Sequence, residues 1–242
     1  DAGSTVVTFT ATDEDGCAST TTVTLVVSQK PVFGGGTPAE GSTLVVCVGD
    51  ELTYGVSATD ADATQTVTLT ASGTPGALVH TPTLPFTGAV GGAAATTATY
   101  TPAVGDAGQT FAVTYTATDD SAAACSVTRT FNIRVSAIPV ITRSQGTVNI
   151  CVGDTATFRV RATDTDAGNL TLSASGVPSG LVFTPSLPTA GNPVETVAVF
   201  TPTAANAGTT TVTFTATDTD GCDASTTVVL NVSQKPVFGG GT

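Results

Sequence analysis

Hydrophobic and polar residues alternate with a period of two along most of this chain. In the segment Thr211–Thr217, Val212, Phe214 and Ala216 fall on one face and threonines on the other, and Val113, Tyr115 and Ala117 repeat the arrangement upstream. Such alternation marks half-buried strands. The stretch 138–234 predicts seven of them. Strand A precedes Cys151, B covers about 155–163, C about 169–175, and D about 181–184; E follows over about 195–201, F over about 209–217 and G over about 224–233. No segment carries a 3.6-residue apolar stripe. Short strands with turn signals about every ten residues predict an all-β fold built from seven-strand Greek-key sandwiches.

The chain also repeats itself. Residues 1–37 return at 206–242 with 28 of 37 positions identical, an offset of 205. A weaker repeat lies inside that period: CVGD at 47–50 and 151–154, ATDAD at 58–62 against ATDTD at 162–166, and TYTATDD at 114–120 against TFTATDTD at 213–220. As an interdomain marker the pair Pro-Val appears at Pro31, Pro139 and Pro236, spacings of 108 and 97. The expected organisation is a linear array of sandwiches. Residues 1–30 are the F–G tail of a preceding repeat, 31–137 the first full repeat, 138–234 the second, and 235–242 the start of another. With no initiator Met and no leader pattern, the chain reads as a processed product or a piece of a longer one.

Composition narrows the function. Of 242 residues 52 are Thr, none is Trp or Met, and seven Lys and Arg against 19 Asp and Glu leave a net charge of −12. A nucleic-acid binder needs cations to neutralise phosphate, so that class is excluded. The apolar runs fall short of a bilayer span, so no membrane insertion is expected within this chain. Few aromatic residues are on offer to stack on sugars, which argues against a carbohydrate-binding module. Paired carboxylates repeated in every domain, without Trp, read as non-enzymatic.

The carboxylates gather at predicted poles. In the second repeat Asp164 and Asp166 lie in the B–C loop and Asp218 and Asp220 in the F–G loop, all at its upstream pole. Asp50 and Asp106 lie at the downstream pole of the first repeat, so domains in line would bring these six together. Asp60, Asp62, Asp119 and Asp120 would meet Asp1 from the preceding partial domain, whose own F–G loop holds Asp13 and Asp15. Asp154 would serve the next junction. Clustered carboxylates repel one another unless a cation bridges them, and a set of hard oxygen ligands suits Ca²⁺. The alternative is that Asp is common in turns for backbone reasons. DEDG and DTDG are not EF-hand loops, which need a distal Glu and flanking helices.

ATDAD, ATDTD, TYTATDD and the junction phrase KPVF resemble cadherin repeats and the cadherin-like or Ig-like repeats of large bacterial surface adhesins. The resemblance implies that Asp164, Asp166 and Asp218 bind Ca²⁺ together with Asp50 and Asp106 of the previous domain. The linkers SAIPV and SQKPV lack the acidic-Asn sequence of true cadherins. The implied function is an extracellular filament or stalk of Ca²⁺-rigidified repeats whose partners are copies of itself or adjacent repeats end to end. The alternative is a spacer within a giant adhesin whose ligand-binding tip lies elsewhere.

Five cysteines at repeating positions predict an oxidising, extracellular location. Two pairings stand open. Cys47–Cys125 with Cys151–Cys222 would close each domain on itself, whereas Cys47–Cys222 would span consecutive domains; Cys17 belongs to the partial repeat. The only histidine, His80, reads as a surface residue without chemistry, and Gly34–Gly36 as a flexible junction or a close backbone approach.

Overall fold

The computed structural model describes residues 3–166 and 168–236. It is all β, with two single-turn 3-10 segments, Val104–Asp106 and Ala204–Asn206. Among the described residues no helix is long and apolar enough to cross a membrane. Strands β1 (Gly3–Thr12) and β2 (Ala18–Val27) pair only with each other, as an antiparallel hairpin.

The first sandwich follows. Its strands are β3 (Val32–Phe33), β4 (Thr43–Cys47), β5 (Leu52–Thr59), β6 (Val67–Ser72), β7 (Val79–Thr81), β8 (Phe86–Thr87), β9 (Ala94–Tyr100), β10 (Thr110–Asp119) and β11 (Ser126–Ser136). One sheet runs β4-β11-β10-β6-β8 and the other β3-β5-β9-β7. The second sandwich repeats the plan with β12 (Val140–Arg143), β13 (Thr147–Cys151), β14 (Ala156–Thr163), β15 (Leu170–Ser175) and β16 (Leu181–Thr184). It is completed by β17 (Thr189–Gly191), β18 (Val194–Phe200), β19 (Gly208–Thr217) and β20 (Asp223–Ser233), in sheets β13-β20-β19-β15-β17 and β12-β14-β18-β16.

The seven-strand frame carries two refinements. Strand A is split between the sheets: β12 pairs antiparallel with β14, and β13 crosses to pair parallel with β20. A split first strand covers one edge of each sheet, which limits the unpaired backbone that an edge would expose. The added β17 is a three-residue edge strand on β15. In the first sandwich the crossing from β3 to β4 runs through the glycine triplet. Gly34 donates its N–H to Ser57 C=O at 2.8 Å, and a Cβ on it would stand 2.3 Å from Ser57 Oγ. The close-approach reading of the triplet therefore holds at Gly34.

The alternation seen in the sequence is the alternation of burial. Val212, Phe214 and Ala216 are fully buried and join Phe158, Leu172, Phe200 and Leu230 in the second core. Tyr54, Tyr115 and Phe131 occupy the first, with Tyr54 edge-on to both other rings. Burying such side chains contributes about 1.5–3 kcal/mol each. The chain divides into two compact units, one of Asp1–Leu44, Glu51–Thr101 and Thr110–Arg134, the other of Val45–Asp50, Pro102–Gln109 and Val135–Thr242. The downstream turns of the first sandwich thus group with the second unit.

Candidate carboxylate sites at the upstream poles

Backbone demand explains half of each aspartate. Asp218 Oδ1 accepts the N–H groups of Asp220 and Cys222, each at 2.8 Å. Asp119 Oδ1 accepts Ser121 N–H at 3.1 Å, Ser121 Oγ–H at 2.6 Å and Cys125 N–H at 2.9 Å, and Asp13 Oδ1 accepts Cys17 N–H at 2.8 Å. The DxD loops do the same over a shorter span, Asp62 N–H to Asp60 Oδ1 at 2.7 Å and Asp166 N–H to Asp164 Oδ1 at 3.0 Å. These are Asx turns, and they require Asp or Asn whatever else the pole does.

The second oxygens meet the linker. Ser136 Oγ lies 3.0 Å from both Asp218 Oδ2 and Asp220 Oδ2, and Ala137 N–H donates to Asp166 Oδ2 at 2.9 Å. The first sandwich builds a related group on a different pair of carboxylates: Ser28 Oγ lies 3.1 Å from Asp62 Oδ2 and 3.4 Å from Asp119 Oδ2, while Gln29 N–H donates to Asp62 Oδ2 at 2.9 Å. Gln65 closes the group through Ser28 Oγ at 3.0 Å. The linker serines are absent from the sequence-based site. Their signal was available, because Ser28, Ser136 and Ser233 each stand three residues before the recurring Pro.

One hydroxyl carries one proton, so two carboxylates on one serine leave one contact with no hydrogen between its oxygens. Ser136 is fully buried and Asp218 is 8% exposed. Asp166 Oδ1 and Asp60 Oδ2 are buried with no hydrogen-bond partner. A buried polar atom left so costs about 1–3 kcal/mol. Burial and the adjoining Asp164 carboxyl push the Asp166 carboxyl above the usual carboxylate range, despite the Ala137 N–H on it. Burial pushes Asp119 the same way, but the hydrogen bonds from Ser121 and Cys125 outweigh it and hold that carboxyl below its ordinary value.

Among the described residues no three Asp, Glu, His or Cys side chains converge into a ready-made cation cage. What each pole offers around its linker serine is two carboxylates and one hydroxyl, an all-oxygen donor set. Hard oxygen donors of that kind fit Ca²⁺ better than Mg²⁺, which keeps its water shell.

The remaining predicted ligands are placed otherwise. Asp120 Oδ1 accepts Thr66 N–H at 2.9 Å ahead of β6. Asp106 Oδ2 accepts Ala103 N–H at 2.9 Å and closes its own 3-10 turn, and Asn206 Oδ1 takes Thr203 N–H in the same way. Either oxygen serves, which accounts for Asn in place of Asp. Gly108, after that turn, lies against Asp166, 3.7 Å from its Cβ when given a Cβ of its own. Asp50 and Asp15 are exposed, and Asp154 is ion-paired with Lys235. Asp1 lies outside the described residues.

Cys47 and Cys222 form a disulfide with Cα atoms 5.6 Å apart, so the domain-spanning pairing is the one that forms. Cys17, Cys125 and Cys151 are free thiols. His80 departs from its surface reading: it is half-buried, with Nε2 2.8 Å from the Tyr115 hydroxyl, which itself lies 3.0 Å from the Tyr54 hydroxyl. Burial lowers the His80 pKa from its ordinary 6.5 and pushes the Tyr115 phenol far up. The Thr-rich surroundings of His80 gave no pattern that separates an inward ring from an outward one.

Strand order A-B-E-D on one sheet and A′-G-F-C on the other defines the class: immunoglobulin-like β-sandwiches following one another along the chain. The structure is similar to the I-band fragment I67-I69 from titin at 13% identity and a TM-score of 0.44, over 84% of this chain and 66% of that one. It is similar also to fibronectin(III)-like modules of Clostridium thermocellum CbhA (14% identity, TM-score 0.35, 84% of this chain and 94% of that one). The N-terminal eight Ig domains of Down Syndrome Cell Adhesion Molecule match at 14% identity and a TM-score of 0.48, over 96% of this chain and 27% of theirs. No family model matches the sequence, and no curated protein matches it.

Proposed function

We propose that this chain is part of an extracellular structural repeat protein, a filament or stalk, whose serine–aspartate poles bind Ca²⁺ and fix each linker to the sandwich that follows it. The observation that supports the reading is a linker serine shared by two carboxylates at both upstream poles, Asp218 and Asp220 on Ser136 and Asp62 and Asp119 on Ser28. Asp218, Asp220, Asp164 and Asp166 would hold an ion beside Ser136, and Asp62, Asp119 and Asp60 one beside Ser28. The ion would supply positive charge and several coordination bonds. The residues of the chain do the rest: the Asx turns hold each carboxylate in place, and the linker N–H and hydroxyl bring the chain to it. Cadherin-like adhesin repeats are the family kinship this reading implies.

The test is calorimetric titration of the chelated chain with CaCl₂, with thermal melts run in parallel. Saturable binding with a rise in melting temperature is expected, and Asp166→Asn with Asp218→Asn should abolish it at the second pole. Melts that coincide in Ca²⁺ and in chelator, with no binding heat, would reduce these aspartates to turn residues.

A further inference from the structure

The disulfide uses one cysteine of each of two types; Cys151 of the first type and Cys125 and Cys17 of the second are left over. The first type closes a downstream turn. Asp50 N–H donates to Cys47 C=O at 3.1 Å, Val48 N–H to Ser136 C=O at 3.0 Å, and Gly49 N–H to Pro102 C=O at 2.9 Å. Around Cys151 the same three bonds recur: Asp154 to Cys151 at 3.1 Å, Val152 to Ser233 at 2.9 Å, and Gly153 to Pro202 at 2.9 Å. The second type sits after an upstream Asx turn. Cys222 and Cys125 each give their N–H to an Asp Oδ1, Asp218 at 2.8 Å and Asp119 at 2.9 Å, and each takes that Asp's N–H on its C=O at 2.9 and 3.0 Å. Cys151 is therefore presented as Cys47 is, and Cys125 as Cys222 is. Cys151 and Cys125 are half-buried, Cys17 in the leading hairpin is exposed, and Cys151 lines a hollow with Ile150, Asp154, Thr155 and Ser233.

We infer that Cys151 is a covalent attachment site for the following copy of the repeat, through that copy's Cys125. The pair would lie 179 residues apart along a continued polypeptide, against 175 for Cys47 and Cys222. The two thiols lose two protons and two electrons as the S–S bond forms; a small-molecule disulfide takes up both and leaves as two thiols. The bond at Cys47–Cys222 then alternates with one at Cys151–Cys125, so every domain is stapled to the next. The inference rests on the tandem-repeat part of the proposed function and not on its Ca²⁺.

Because residues 206–242 are in phase with 1–37, the chain extended by a second copy of 38–242 continues the repeat. That protein, oxidised in a glutathione redox buffer and alkylated, is mapped by mass spectrometry of unreduced peptides. Two Cys47–Cys222 bonds and one bond from Cys151 of the first copy to Cys125 of the second are expected, leaving three alkylated thiols. Both Cys47–Cys222 bonds with five alkylated thiols would overturn the inference alone. Failure of the second Cys47–Cys222 bond would overturn the tandem reading beneath it.

Discussion

Strands β1–β2 and β19–β20 are nearly the same peptide in two settings. Their registers match, Phe9 opposite Thr21 and Phe214 opposite Thr226, and both end in the same Asp–Cys turn. Yet Phe214, Val228 and Leu230 are fully buried, whereas Phe9, Val23 and Leu25 are 56%, 47% and 53% exposed. Strand pairing and turn chemistry are therefore local properties of the peptide. Burial is not: in β19–β20 it comes from the facing sheet, through Phe158 of β14 and Phe183 of β16.

A matched pair of truncations in the full chain tests whether burial alone separates the two hairpins. Phe214→Ala should lose about 3–5 kcal/mol by urea titration, the usual cost of emptying an aromatic core position. Phe9→Ala should stay within about 0.5 kcal/mol of the parent, as exposed sites do. Equal losses would mean that the hairpin is covered in solution.

The two upstream poles sharpen the point at smaller scale. In chelator, Ser136→Ala should cost about 1–3 kcal/mol, because it strips a buried hydroxyl from Asp218 and Asp220. Ser28 is only half-buried, so Ser28→Ala should cost less. A larger loss at Ser28 would reverse the ranking of the poles.

The smallest effect separates the two cores. Where the first has Tyr54, Tyr115 and His80, the second has Phe158, Phe214 and Phe183, with the same edge-on rings. Burial holds His80 below its ordinary 6.5, so the unfolded chain takes the proton first. The stability this contributes is fully present above pH 6.5 and is lost as pH falls through the lower folded value. His80→Phe should flatten that slope in melts between pH 7 and about 5, leaving Asp166, whose raised carboxyl acts in the opposite sense, and the acid loss at Asp119, which sets in as pH falls past its ordinary 3.8. An unchanged slope would place the titration elsewhere.

Much of the fold was legible because period-2 patterning survives in nearly every strand. The split of strand A was not, since β12 and β13 are four or five residues each and the crossing between them has no pattern of its own. At the poles the Asp spacing pointed to loops whose aspartates meet the linker residues Ser28 and Ser136. Ser136 was invisible to a search for charge, although it is the group that touches Asp218 and Asp220. Asp106, an acidic residue at a predicted pole, accepts Ala103 N–H on Oδ2, a turn-closing role that Asn206 fills equally well.

The Cys47–Cys222 bond also governs how the chain would behave under tension. The residues between its two ends, a separation of 175, lie inside a closed covalent loop that contains every strand from β5 to β19. A pull applied at the termini passes from Cys47 to Cys222 through sulfur, so that loop bears no load. Fully drawn out it would have added about 600 Å of contour at about 3.4 Å per residue. The oxidised chain is thus nearly inextensible across this stretch, and reduction converts the same stretch into slack.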